Sequence, residues 1–279
     1  MRIVDYDATR RSDVAELMGR VWGERGNEEE LEWFYERNPV APASVLLAEE
    51  DDRVVATVAM SFVRMTVGGE ELTVGMPVRL ATDPAYQRRG IFQQLESENE
   101  ARAQAAGVRL LLIVPNGASA PVLVNHLGWT ALPSLRVWGR LRPFRIGRRR
   151  SGVERFSEQL APTASTGDRV LRDAAWLNWR FADAPKAYTL LEGDGYAVAG
   201  GRGRLGVVAA VEGPMLRSLG AAAPEAALIA APPPQELRHY VLAGYLPTTR
   251  TFTVLGKSLD PGQALPKRPH FELGDLDFF

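Results

Sequence analysis

Apolar and polar residues alternate over residues 71–82, where Val74, Met76, Val78 and Leu80 fall on one face as in a half-buried strand. Over about residues 89–106 the interval changes. Phe92, Leu95, Asn99, Ala103 and Ala106 recur at helical spacing, and Gly107 supplies a stop. The change of period predicts a strand that feeds a helix through the turn Gln87-Arg88-Arg89-Gly90. Upstream, the pattern predicts a strand over 1–6, an amphipathic helix over 7–22 and a short helix over 28–37 closed by Asn38-Pro39. Strands over 44–48 and 54–67 follow, the second turning at Gly68-Gly69 into the strand first described. Downstream, 108–114 is an unbroken apolar run. It reads as a buried strand, parallel to its predecessor because a helix intervenes. A helix over 118–127 then gives way at Gly128-Trp129 to a strand towards Trp138.

The second half repeats this order. A helix is expected over 170–181, with Trp176, Trp179 and Phe181 turned into a core, then strands over 188–192, 196–202 and 205–212. A short helix over 214–220, a strand over 226–230, a helix over 235–243 and a strand over 251–255 complete it. Gly244-Tyr245 closes its helix as Gly128-Trp129 does in the first half. The pattern predicts an α/β chain duplicated in tandem: a first domain over 1–144, a basic and polar linker over 145–168, a degenerate second copy over 169–260 and a tail over 261–279.

Composition adds exclusions. The 279 residues are 46% apolar and 24% charged, with a formal net charge of −1, which gives no general argument for nucleic acid. Without cysteine there is no disulfide, thiolate metal site or cysteine nucleophile. The three histidines, His126, His239 and His270, lack ligand-like spacing, so no metal is expected. The first residues lack an apolar signal core and no run approaches about 18 apolar residues, so no membrane span is expected and the cytoplasm is the default compartment. A basic run over 140–152 reads as a solvated linker or as a patch for an anion.

The turn at 87–90 carries the candidate chemistry. A strand entering a helix through such a turn aims several backbone N–H groups at one point, where the helix dipole and nearby arginines favour an anion such as a pyrophosphate. Gly90 lets a ligand approach the backbone without an intervening Cβ. Taken alone, the same residues also fit an ordinary surface turn with two solvated arginines.

Pro84, Tyr86, Gln87 and Gly90 resemble the coenzyme loop of the Gcn5-related N-acetyltransferases (GNAT), Gln/Arg-x-x-Gly-x-Gly/Ala after an x-Pro-x-Tyr/Trp turn. Phe92 stands where that family has Gly or Ala. Leu127-Gly128-Trp129 resembles its Leu-Gly-Phe closure, and Asn116 falls where the family has an Asn facing the coenzyme. The resemblance covers about residues 1–140 and implies a mixed central sheet flanked by helices that binds coenzyme A, with acetyl-CoA as donor. It places the coenzyme along the splayed strand at Leu80 and Thr82, on Gln87, Arg88, Arg89, Gly90, Ile91 and Phe92, and against Asn116. On the acceptor side it keeps Trp22, Trp33 and Tyr35, although an aromatic cluster of that kind is more often core.

By the same resemblance the reaction is direct transfer to the amine of a small molecule or peptide, with no nucleic acid or membrane as partner. Oligomeric state stays open, a homodimer among the options. The family's usual acid is a tyrosine four residues before the closing glycine, and Val124 stands there. His126 is nearby, in a place where surface histidines are common. Some multi-domain members bring their C-terminus into the active cleft, which makes Asp275, Asp277 and the terminal carboxylate of Phe279 candidate bases. The bland alternative is a frayed acidic tail. The second half lacks the loop signature, with Glu212-Gly213-Pro214-Met215 in its place, so it reads as structural or as a wall for the acceptor. A non-catalytic acyl-CoA-binding protein is the competing reading.

Overall fold

The structure, a computed structural model, describes residues 1–23, 26–141, 152–160, 167–202, 205–222, 225 and 227–276. In chain order the strands and helices are β1 (Arg2–Asp5), α1 (Arg11–Trp22), α2 (Glu28–Glu36), β2 (Ser44–Glu50), β3 (Arg53–Val67), β4 (Glu70–Thr82), α3 (Ile91–Ala105), β5 (Leu110–Ile113), α4 (Ser119–Leu127) and β6 (Thr130–Leu141). Then come β7 (Arg169–Val170), α5 (Ala174–Leu177), β8 (Thr189–Gly193), β9 (Gly195–Arg202), β10 (Leu205–Glu212), α6 (Leu216–Ala222), β11 (Ala227–Ala230), α7 (Leu237–Leu242) and β12 (Leu246–Ser258). No helix among the described residues is long and apolar enough to cross a membrane.

The chain divides into two compact units. The first comprises Met1–Met65, Glu71–Leu132 and Val254–Pro266, and the second Thr66–Glu70, Pro133–Thr253 and Lys267–Phe279. The expected succession of 1–144, 145–168, 169–260 and 261–279 therefore differs from the observed division. The units exchange segments because their closing strands pair across the sequence.

In the first unit β1 pairs antiparallel with β2 and β2 with β3, β4 lies beside β3, and β4 runs parallel to β5. The strand antiparallel to β5 is the end of β12, in register from Leu255↔Ile113 to Ser258↔Leu110. Helices α3 and α4 cover this sheet, closing a core of Met60, Leu111, Ile113, Leu123 and Trp129. Local signals set the helix limits. Asn27 accepts the Glu29 N–H at 2.9 Å to cap α2, while Gly23 and Gly128 end α1 and α4 with φ of +81° and +72°.

The second unit repeats the strand order. β8, β9 and β10 form an antiparallel meander, and β10 runs parallel to β11 from Leu205↔Ala227 to Val207↔Ile229. The strand antiparallel to β11 is β6. The helix expected over 170–181 is shorter. Asp173 caps α5 by accepting the Trp176 N–H at 2.8 Å, and the chain then widens, with Asp183 N–H reaching the carbonyl of Asn178 at 2.9 Å.

Residues 270–276 pack into this second unit. Phe271, Leu273 and Leu276 are buried, and Arg180 donates to the carbonyls of Gly274 (2.9 Å) and Leu276 (3.0 Å). Gly274 is required there, since a Cβ would stand 2.5 Å from the carbonyl oxygen of Ala209. The Val211 N–H, on the part of β10 beyond its last rung with β11, bonds to the Glu272 carboxylate.

Candidate functional site

In the first unit β4 and β5 share two rungs, Val74↔Leu110 and Gly75↔Leu111, and then part. Gly75 has no room for a side chain: a Cβ would lie 2.6 Å from Leu111 Cδ2 and 2.7 Å from Met60 Sδ. Two residues on, Pro77 brings no N–H to any ladder. Arg79 then takes φ +51°, a left-handed conformation in mid-strand. Such a parting leaves backbone donors and acceptors on the facing edges, to which an extended amide-bearing chain can add.

At the end of β4, Asp83 starts the turn Pro84–Tyr86 by accepting the Ala85 N–H at 3.0 Å. It also accepts from Arg20 at 2.7 Å and Arg53 at 3.4 Å. Burial opposes its ionisation, but the Ala85 N–H and the two arginines outweigh it and hold the carboxyl below its usual range. Asp83 therefore braces the loop as a fixed anion.

Residues Gln87 to Gly90 are exposed. Arg88 and Gly90 both have left-handed φ, +63° and +75°, and Gly90 is the N-cap of α3 with no side chain capping the helix. The N–H groups of the first turn thus point outward without a capping side chain, at the positive end of a 15-residue helix. Apart from its chain neighbours, no residue comes within 4 Å of where a Gly90 Cβ would stand, so the approach to the nest is clear. Gln87 Nε2 donates to the Thr82 carbonyl at 3.2 Å. Arg89 donates to the Ala85 carbonyl at 3.3 Å and stacks 4.7 Å over the Tyr86 ring. A strand edge open to an extended chain leads into a nest suited to a diphosphate.

Residues 3–132 match the family model described as an acetyltransferase (GNAT) domain. This part of the chain is similar to the GNAT acetyltransferase domains. Solved structures share the fold over most of the chain. A conserved protein of unknown function from Enterococcus faecalis V583 is 12% identical, with TM-score 0.68 over 92% of this chain and 72% of its own. A GCN5-related N-acetyltransferase from Anabaena variabilis ATCC 29413 is 11% identical, with TM-score 0.66 over 93% and 73%. Another from Kribbella flavida is 16% identical, with TM-score 0.65 over 93% and 71%. At these identities the likeness is one of fold. No curated protein matches the chain.

Within residues 3–132, Leu80, Thr82 and Gln87 to Phe92 come together at the end of β4 and the start of α3. Ile91 is buried, and the Phe92 ring packs with Leu80 against two core clusters, so the bulk that replaces Gly or Ala turns inward. Asn116 is exposed beyond β5, where its Oδ1 accepts the N–H groups of Ala118 and Ser119, both at 2.9 Å. That oxygen is thus engaged at the start of α4. His126 and Val124 are exposed on α4.

The three aromatic candidates separate. Trp22 is 53% exposed at the end of α1, whereas Trp33 and Tyr35 are core side chains, 2% and 1% exposed. Phe34 packs edge-on to Trp33 at 5.6 Å, and Tyr6 packs edge-on to Tyr35 at 5.3 Å.

Asp275 lies in the second unit with a fully buried side chain, accepting from Arg172 Nε at 2.9 Å and Nη2 at 2.5 Å. Its Oδ2 also accepts the Glu272 N–H at 2.8 Å. Both carboxylate oxygens of Asp275 thus serve to fold residues 270–276. Asp277 and Phe279 lie outside the described residues, as does most of the basic run, 142–151.

Two further side chains escaped the sequence reading. Arg79 has no local signature. Glu96 sits on a helix whose apolar face, read by spacing, skips it. It is nonetheless fully buried, near Glu100 one turn further along the same helix and Lys257 of β12, the latter from a distant part of the chain.

Proposed function

We propose that the protein is an acyl-CoA-dependent N-acyltransferase, with acetyl-CoA as donor and the amine of a small molecule or peptide as acceptor. One observation carries the reading: β4 and β5 part after Gly75↔Leu111, and β4 continues into an exposed, glycine-bearing nest at an uncapped helix start. The backbone N–H groups of residues 88–92 would hold the diphosphate, with Arg88 and Arg89 adding charge-assisted contacts. The open edges of β4 and β5 would take the amides of the pantetheine arm as an added strand. When bound, acyl-CoA supplies an acyl group activated as a thioester. The domain's own part is to fix that group in line with the amine and to polarise its carbonyl with a β4 amide. Departure of the thiolate needs little help, since a thiol of pKa about 8.5 is a good leaving group at neutral pH. Valine at position 124 is compatible with this chemistry.

The same valine favours a second reading, a protein that binds acyl-CoA without turning it over, because the family's tyrosine donor is missing. Thiol release from acetyl-CoA, followed against a panel of amines, separates the two. Transfer requires release that rises with amine, and binding alone requires coenzyme affinity without it. Gly90→Asp tests the site itself. It introduces a side chain and a negative charge where the diphosphate would lie, so coenzyme affinity should be lost. Undiminished affinity would remove the assignment.

A further inference from the structure

Arg79 combines two features that seldom occur together in a strand. Its backbone is left-handed at φ +51°, costly for a residue with a Cβ, and its side chain is only 9% exposed. The guanidinium donates through Nη2 to Glu30 of α2 at 2.9 Å, and its Cζ lies 4.6 Å from the centre of the Phe34 ring, also on α2. A planar fork can stack on a ring and donate sideways at the same time, which an ammonium cannot do. A strained residue persists only where its surroundings hold it, and here α2 does the holding.

The location gives the clamp a function. Arg79 is four residues beyond Gly75, the last β4 residue paired with β5. It is therefore in the stretch whose amides border the open cleft. A left-handed residue breaks the regular alternation of amide directions along a strand. No β5 ladder holds this stretch, so beside the β3 pairing on the other edge the clamp helps to set its amide geometry. We propose that Arg79 is a positioning residue for acyl transfer, which ties β4 to α2 and so fixes the β4 amides that polarise the thioester carbonyl. This rests on the acyl-CoA reading above.

The test compares the wild type with Arg79→Gly, Arg79→Lys and Glu30→Gln. Glycine accepts the left-handed backbone without strain, so Arg79→Gly removes the clamp while leaving the chain free to fold. Two readouts need no acceptor: the affinities for acetyl-CoA and for coenzyme A by calorimetry, and the carbonyl stretch of bound ¹³C-labelled acetyl-CoA. In the wild type the carbonyl band should move to lower wavenumber, and acetyl-CoA should bind more tightly than coenzyme A. In Arg79→Gly, affinity for coenzyme A should hold, because the diphosphate nest is untouched. The preference for acetyl-CoA should fall by about tenfold, roughly the worth of one buried hydrogen bond, and the band should return towards its position in water. Arg79→Lys and Glu30→Gln should fall between.

An Arg79→Gly protein that keeps both the preference and the band shift overturns the proposal. If that variant does not fold, Glu30→Gln decides alone, and an unchanged band in it is equally fatal. A wild type that binds both ligands equally with an unshifted band also overturns it while leaving coenzyme binding intact. A wild type with no affinity for either removes the acyl-CoA reading and this inference together.

Discussion

Gly75 faces Leu111 across the last rung of the parallel pair, and a Cβ on Gly75 would come within 2.6 Å of the Leu111 side chain. Side chains crowd this rung, and beyond it the two strands part. The tight rung and the open cleft beyond it are parts of one arrangement.

Gly75→Val should force Leu111 and Met60 apart in a core where both are fully buried. Overpacking of this kind costs about 1–3 kcal/mol, so the variant should unfold at lower denaturant than the wild type. Because the strands would move at the start of the cleft, coenzyme affinity should fall as well. A variant with wild-type stability would show that the site can relax without disturbing the rung.

Glu96 should make the protein less stable as pH rises. Burial, followed by the charge of Glu100, pushes its carboxyl from 4.5 up to about 8, and Lys257 offsets this only in part. A raised folded-state pKa means that the folded protein keeps a proton the unfolded chain has lost. Stability therefore declines between about pH 4.5 and pH 8. Glu96→Gln mimics the protonated acid at every pH. It should match the wild type near pH 4 and exceed it near pH 8, by an amount on the order of a few kcal/mol. Unfolding curves that run parallel across this range would show that Glu96 does not carry the proton.

His270 acts in the opposite direction. Burial first, then the charges of Arg172 and Arg169, push the imidazole from 6.5 down to about 3. The folded protein holds it neutral while the unfolded chain protonates it, so stability is lost progressively as pH falls from 6.5 towards 3. His270→Gln should lose less stability than the wild type between pH 7 and pH 4 in thermal melts. An equal loss in both proteins would rule out this source of acid sensitivity.

The Arg172–Asp275 pair is fully buried on both sides. Burial disfavours the guanidinium charge, but Asp275 and Glu272 outweigh it and keep Arg172 protonated well beyond the normal range. Asp275→Asn removes one partner and leaves a buried cation underpaired, which should cost about 3–5 kcal/mol in urea unfolding. The double variant Arg172→Met with Asp275→Leu should recover much of that loss, since it removes both charges. A double variant as damaged as the sum of the two single changes would show that the pair does more than neutralise itself.

Much of the first unit was readable from spacing. The switch from alternation to helical interval near residue 90 located the end of β4 and the start of α3, and Gly90 fell at the N-cap as its neighbours required. Phe92, standing where the family has Gly or Ala, packs inward. Asn116 also meets a local demand: its Oδ1 accepts the N–H groups of Ala118 and Ser119 at the start of α4, which family position alone does not reveal. Trp33 and Tyr35 were legible as aromatic, but only their neighbours on other elements showed that both are core.

Along the chain, periodicity and turn residues determined which segments are strands or helices, which face of each is apolar, and where a nest of N–H groups opens, because these depend on neighbours a few residues apart. Which strands meet was decided in three dimensions. β12 beside β5, β6 beside β11, the parting after Gly75 and the burial of Asp275 against Arg172 join residues up to about a hundred and fifty positions apart. A hydrophobic period specifies a face and not its partner, and a charge can be buried only where the fold delivers its counter-ion.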